Sequence, residues 1–508
     1  MEGHVFVVHG RIEVLRAQAA VIPTGPDLDV SATWRPLVGA DVERLDPPPG
    51  WAQGSARWVR RDERLWFLDV ARREGADLAW LLDGVRGVLT EVAQQVLPSP
   101  SRRLPLVVLP VVGIGAGGFG DDRGAVVAGL LDVAAEVVAD HPVDIAFVTP
   151  DPAVHSAVQH LRRRQQRWPL PPDLLEAATA LAGRARAGEL ALFFGAGVSI
   201  PAGLPSWPEL LRACLADVAG TEGAEGTRGA EDADLPAAAL EGLAPLDQGE
   251  LLRRVLGDRF GQVVAERSRA EHHALGHALL VALGCTEAAT TNYDPCFELA
   301  ARAASVPLAV MPWQSPRGRE RWLLKLNGDV EHPDSIVLAR RDFVRYDALA
   351  RPMASVLEAM MLTRHLLVVG ASLTDDTVLR LTHEVGQFRG EHGGGGEPFG
   401  TVLDVEAPGP RRRLWSGELD WVAMPGEDLA HRARALDVFL DVLVALATAD
   451  ASWVLDERFE ALLEDGDTAT ARRARELAAG LAPREPWRAL AAELDEHGAR
   501  RRSARPVS

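Results

Sequence analysis

The chain has 508 residues, 47% of them hydrophobic and 25% charged, with a formal net charge of −18. That length fits roughly three globular units, each able to bury a core. The acidity excludes general DNA or RNA binding, which needs a positive field. Arginine supplies nearly all the positive charge, Lys325 being the only lysine. This Ala-, Gly- and Arg-rich usage fits a high-GC bacterial genome. Cys214, Cys285 and Cys296 are the only cysteines and form no CxxC pair, so neither a disulfide framework nor a structural zinc module is expected. The N-terminus lacks a basic-then-apolar signal pattern, and no apolar run reaches the ~18 residues of a membrane span. A reducing cytoplasm is the expected location, with no membrane partner.

In chain order, residues 1–165 read as one α/β unit. VFVV, AAVIPTG and RLWFLDVA are short apolar runs with strand character. Residues 78–97 carry apolar side chains at helical spacing. LPLVVLPVVGIGAGGFG is a buried strand entering a glycine-rich loop. RGAVVAGLLDVAAEVVADH then reads as a helix and DIAFVTPD as a last strand. Strands alternating with helices favour a mostly parallel sheet covered by helices. Residues 162–173 are basic and then proline-rich, which places a linker at 166–173.

A second α/β series occupies 174–448. It opens with a helix at 174–186 and runs through ELALFFGAGVS, ATTNYD, LLKLNGD, HLLVVGASL and TVLDVEAP. Residues 220–249 read as a solvated insertion and 391–398 as a loop tip. Helical patterning resumes after Glu427. Residues 449–508 read as a helical tail with a frayed end, free to pack on the preceding domain or to mediate oligomers.

The most informative segment is LALFFGAGVSIPAGLPSW. A buried strand, 190–194, delivers the chain into Gly195-Ala196-Gly197. Small residues there let main-chain N–H groups approach an anion, and a helix starting nearby aims its dipole at the same charge. The run Gly195, Ala196, Gly197, Ser199, Gly203, Pro205, Trp207 resembles the first nucleotide-binding motif of sirtuins and their bacterial relatives. Three further segments follow in that family's order. Thr290-Thr291-Asn292-Tyr293-Asp294 resembles TxNxD, Gly370-Ala371-Ser372-Leu373 resembles GxSL, and Leu403-Asp404-Val405-Glu406 stands where the family reads INxE. The resemblance implies a Rossmann-like parallel sheet that binds NAD. The glycine loop would hold its pyrophosphate, Gly370 and Ser372 would lie on the adenosine side, and Asp404 would accept from ribose hydroxyls.

One position departs from the family. Its His-Gly-Asp turn reads Asn327-Gly328-Asp329 here, so the usual catalytic base is missing. Asparagine orients water but takes no proton near neutral pH. The chemistry tolerates this, because nicotinamide leaves NAD as a neutral ring and needs no general acid. A positioned ribose, a stabilised oxocarbenium-like state and a nearby water suffice. Asn292 and Asn327 are therefore the candidate catalytic residues, Asn292 holding the water. Among the histidines considered as substitutes, His272, His273 and His277 share one expected helix, and His332 is nearest to the turn in sequence.

With no zinc module, the chain is closer to the zinc-free, NAD-hydrolysing sirtuin-like proteins of bacterial antiphage systems than to protein deacylases. No metal is expected. Residues 1–165 resemble a divergent macrodomain, an α/β/α fold that binds ADP-ribose derivatives, with Gly113–Phe119 as its diphosphate loop. Arg11 stands where that fold keeps an adenine-reading aspartate, and Thr24-Gly25 replaces its asparagine pair. The leading expectation is an NAD hydrolase, regulated by a nucleotide signal at the first domain and assembled as a homo-oligomer. The rivals are an NAD or ADP-ribose sensor without turnover, and an ADP-ribosyltransferase or deacylase.

Overall fold

The computed structural model describes every residue except 1, 40, 52–55, 73–75, 116, 220–241, 319, 343–350, 374–375, 393–396, 407–408, 416, 450, 482–485 and 501–508. Most of the expected insertion at 220–249, the glycine tip of 391–398 and the last eight residues therefore lie outside the described residues. The chain divides into two compact units. One comprises Met1–Ala178 with Val438–Ser508, the other Thr179–Asp437. Sequence reading put the breaks at the 166–173 linker and at 448. The structure puts them inside two helices, Pro172–Arg186 and Leu429–Ala447.

The first unit is built on six strands: β1 (Val5–His9), β2 (Ala19–Thr24), β3 (Trp58–Arg60), β4 (Leu65–Asp69), β5 (Leu106–Pro110) and β6 (Asp144–Thr149). Their spatial order is β1-β6-β5-β2-β4-β3, parallel except for the β3–β4 pair. Aspartates start three of its helices by accepting a main-chain N–H. Asp77 caps Leu78–Gln95, Asp122 caps Arg123–Asp140 and Asp151 caps Pro152–Gln165. Continuous apolar runs such as LVVLP are explained by burial of the sheet on both faces. The tail joins this core. Trp453, Phe459 and Leu462 cluster with Val126 and Leu130. Asp441 is fully buried and held by Arg162 and by His4 at 2.7 Å. Arg162, read from sequence as the start of a basic linker, thus spends its charge on a buried carboxylate instead of on solvent.

The second unit has seven strands, all parallel: β7 (Leu190–Phe194), β8 (Glu287–Thr290), β9 (Ala309–Met311), β10 (Trp322–Lys325), β11 (His365–Val369), β12 (Gly400–Asp404) and β13 (Leu419–Ala423). Their order is β13-β12-β11-β7-β8-β10-β9. β7 is central. The chain first builds outward from it through β8 and later returns to its other side with β11. That reversal opens a crevice beyond the carboxyl ends of β7, β8 and β11, the place where open α/β sheets hold ligands. Three strands were not legible as apolar runs: β3 and β9 are only three residues long, and β13 is a half-exposed edge. No helix among the described residues is long and apolar enough to cross a membrane.

Candidate nucleotide site

A cavity of about 880 Å³ sits at that crevice, a size suited to a nucleotide-scale ligand. The loop after β7 contributes Gly195, Ala196, Gly197 and Ser199, and the approach to the helix Trp207–Ala219 contributes Pro205 and Trp207. The exit of β8 brings Asn292 and Asp294, the turn after β10 brings Asn327, and the loop after β11 brings Gly370 and Ser372. These positions are far apart in sequence, and the parallel sheet gathers their strand ends at one edge.

Two expected residues stand apart from the lining. Gly203 ends a 3-10 turn with φ +94°. Asp404 is committed to its own neighbourhood: its Oδ2 accepts from Arg412 at 2.8 and 3.0 Å and its Oδ1 from the Glu406 N–H at 2.9 Å. Glu406 lines the cavity instead. The side-chain alternation of a strand does not extend past its end, so sequence alone did not separate the two acidic residues. Arg340 is a second lining residue that sequence reading missed. It pairs with Asp247, and both are well exposed. No motif surrounds it to signal the role.

The glycines of the first loop act differently from the expected amide cradle. Gly195 N–H donates to Val369 O at 3.1 Å and Gly197 N–H to Gly370 O at 2.9 Å. A Cβ on Gly195 would lie 2.8 Å from Ala371 Cα, and one on Gly197 would lie 2.9 Å from Gly370 Cα. These glycines permit two main-chain segments to cross at the sheet edge, and their amides are consumed there. The expected helix start is also displaced. Two 3-10 turns, Ala196–Val198 and Ile200–Ala202, precede the helix at Trp207.

Ser199, Asn292 and Asp294, all in the cavity lining, share one hydrogen-bond network with the buried His277. His277 Nδ1 accepts from the Ala274 N–H at 3.2 Å, so the proton of the neutral ring is on Nε2. Burial, chiefly, pushes the His277 pKa down to about 4, keeping it neutral. Nε2–H therefore donates to Ser199 Oγ at 3.2 Å. Ser199 donates its one hydroxyl proton to Asp294 Oδ2 at 2.9 Å and accepts from Asn292 Nδ2 at 3.0 Å. Asp294 Oδ1 accepts from Cys296 N–H at 3.0 Å. The outcome fixes Asn292: its NH₂ faces Ser199, leaving the carbonyl oxygen as what it offers to the cavity. Thr290 secures the loop from below, donating to Phe194 O at 2.8 Å and accepting from Asn292 N–H at 3.0 Å.

Lys325 is the second organiser, and sequence reading had noted it only as the sole lysine. Its buried ammonium donates to Tyr293 O at 3.0 Å and to Asp294 O, Glu298 Oε1 and Asp329 Oδ2, each at 2.8 Å. Burial by itself would lower its pKa, but Glu298 and Asp329 outweigh that and raise it. One cation thereby joins the TTNYD exit to the turn that carries Asn327. Gly328 makes that turn with φ +101°, where a Cβ would lie 2.5 Å from Ser335 O.

The remaining histidines take other roles. His332 stacks on Trp313 with ring centroids 4.5 Å apart, and His273 is buried with its pKa pushed down to about 4, mainly by burial. His277, Asp294 and Cys296 place donor atoms within 4.8 Å of one another. Each is engaged in the network above or, for the Cys296 thiol, bonded to His272 O at 3.7 Å and held protonated by burial.

Residues 286–416 match the SIR2-like domain family. The chain is 26% identical over 218 residues to the NAD(+) hydrolase ThsA of Enterococcus faecium, covering 39% of this chain and 40% of that protein. It is 28% identical over 191 residues to the NAD(+) hydrolase ThsA of Bacillus cereus (strain MSX-D12), covering 36% and 37%. The chain thus spans about 40% of the length of the curated relatives it matches. With the parallel sheet, the TTNYD exit and the GAS loop placed around one cavity, the second unit of this chain carries a SIR2-like domain.

Proposed function

We propose that the second unit is an NAD hydrolase that cleaves the nicotinamide–ribose bond to give nicotinamide and ADP-ribose. One observation carries the reading: Asn292, Asn327, Gly195 and Ser372 line one nucleotide-sized cavity at the switch point of the sheet. The two matched relatives are both named NAD(+) hydrolases. The nicotinamide ribose belongs near Asn292 and Asp294, and the adenosine near Gly370, Ser372 and Glu406.

The first unit is read as a macrodomain-like regulator responding to an ADP-ribose-type nucleotide. In support, Gly113 follows β5 with φ +86°, ahead of the helix Arg123–Asp140. A homo-oligomer acting in antiphage defence completes the proposal.

Incubating the purified chain with NAD and following nicotinamide release tests the activity, with Asn292→Ala as the control. Release by the parent and loss of at least 100-fold in the variant, at unchanged melting temperature, is the expected result. Clear NAD binding with no release under any condition retires the enzyme reading in favour of a sensor. Asn327, at the family's histidine position, is the feature that favours that second reading.

A further inference from the structure

We infer that Asp294 is the proton acceptor of the hydrolysis, acting with Asn292 on one water molecule and taking over the work of the missing histidine. The inference rests on the hydrolase reading above. It starts from an elimination. The lining residues that carry a carboxylate are Asp294 and Glu406. Glu406 follows β12, on the side assigned to the adenosine. Asp294 is two residues from Asn292, and the two side chains meet on the same hydroxyl, Ser199 Oγ.

His277 is hydrogen-bonded to the cavity-lining Ser199, and it is disqualified. Its Nδ1 lone pair is occupied by the Ala274 N–H, and its Nε2 already carries the proton that it gives to Ser199. Ser199 is likewise committed, donating once and accepting twice. A Ser–His–Asp grouping is present, but every proton in it points toward Asp294. The carboxylate is the end of the chain of donors and the only member with acceptor capacity to spare.

The orientation of Asn292 is fixed by its NH₂ donating to Ser199. Its carbonyl oxygen and the Asp294 carboxylate are both acceptors. A water held between two acceptors gives each of them a hydrogen and turns its lone pair away from both, toward an electrophile in the cavity. The step balances as follows. The bond between the ribose anomeric carbon and the pyridinium nitrogen breaks, its electron pair returning to the ring, so nicotinamide leaves neutral. The water oxygen bonds to the anomeric carbon, and one water proton passes to Asp294. The negative carboxylate also stabilises the positive charge that develops on the sugar, as paired carboxylates do in glycoside hydrolysis.

The test compares the full-length parent with Asp294→Asn, Asp294→Ala and Asn327→Ala in nicotinamide release, together with ADP-ribose affinity and melting temperature. Asp294→Asn keeps the size and an acceptor for the Cys296 N–H, so it guards against a folding artefact. The expected result is a fall of about 100-fold or more in both Asp294 variants, with ADP-ribose affinity within about threefold. Asn327→Ala, which removes the other candidate catalytic side chain but no base, should not respond to azide. Sodium azide, a nucleophile that needs no base, should restore nicotinamide release by Asp294→Ala and yield an azido-ADP-ribose adduct. An active parent with a folded Asp294→Asn variant at more than a third of its rate overturns the assignment and leaves the hydrolase reading standing. So does failure of azide to rescue. A parent that binds NAD but never releases nicotinamide overturns both.

Discussion

The ammonium of Lys325 lies 2.8 Å from the main-chain oxygen of Asp294, the residue whose side chain lines the cavity. The only lysine of the chain is therefore buried under the site, where it fixes main chain. Two carboxylates balance it, Glu298 and Asp329. Burial, first of all, raises the pKa of the Glu298 carboxyl in spite of the ammonium beside it. Glu298 Oε2 is buried without a hydrogen-bond partner among the described residues.

Lys325→Met leaves two buried carboxylates facing two carbonyls. A loss of about 3–5 kcal/mol is expected, as for other buried pairs broken on one side. Glu298→Gln should cost less than about 1 kcal/mol, because Asp329 still balances the ammonium and the already unpartnered oxygen is no longer charged. Denaturant unfolding of the two variants reads both values, and equal losses would contradict this division of labour.

Asn327→His restores the side chain that the family uses as a base. It is expected to raise nicotinamide release by roughly 10-fold or more above pH 7, where a histidine of ordinary pKa is neutral and accepts protons. Below about pH 6 the gain should disappear. A pH–rate profile of parent and variant checks this, and a variant with no gain at any pH would show that the turn does not present this position to the water.

Gly195→Val places a branched side chain where a Cβ alone would lie 2.8 Å from Ala371 Cα and Gly370 O. The obstacle is main chain on both sides, so relief requires the β7 and β11 exits to separate. A stability loss of about 1–3 kcal/mol is expected, with NAD affinity falling in the same variant. Calorimetric titration together with thermal unfolding separates the two effects. Retained affinity would mean that the loop crossing is unimportant to the ligand.

Acid should destabilise the protein well above the range of carboxylate titration. Burial, first of all, pushes the pKa of His273 and His277 down to about 4 and that of His155 to about 3. An unfolded histidine binds its proton near pH 6.5. Between those limits the unfolded chain holds protons that the folded chain refuses, so stability is full above about pH 6.5 and falls as pH drops toward 4. Each group contributes on the order of 1–3 kcal/mol. Unfolding midpoints measured from pH 8 to pH 4 should decline, and His277→Asn should flatten part of the slope. A flat curve over that range would contradict neutral burial.

Much of the site was legible before the fold was known, for a particular reason. Gly195, Asn292, Asn327 and Gly370 each follow a strand, and the apolar runs that mark those strands are strong local signals. A parallel sheet aligns the carboxyl ends of its strands, so residues found after strands tend to meet. Asp404 shows where this logic ends: it is the last residue of β12, but Arg412 takes it, and Glu406 reaches the cavity. The main-chain crossing at Gly195 and Gly197 was likewise not legible, since a glycine beside an anion and a glycine beside another main chain look alike in sequence.

The amino-acid order by itself settled the alternation of strands and helices, the buried strands and the motif residues at their ends, because these depend on side-chain periodicity and short-range backbone sterics. It did not settle the partners of Arg162, Lys325 and Asp404, the return of the tail to the first core, or the proton positions around Ser199. Those depend on which polar groups are brought together as water is excluded, and a buried charge or hydroxyl takes whatever partner the packed chain supplies. That pairing exists only in three dimensions.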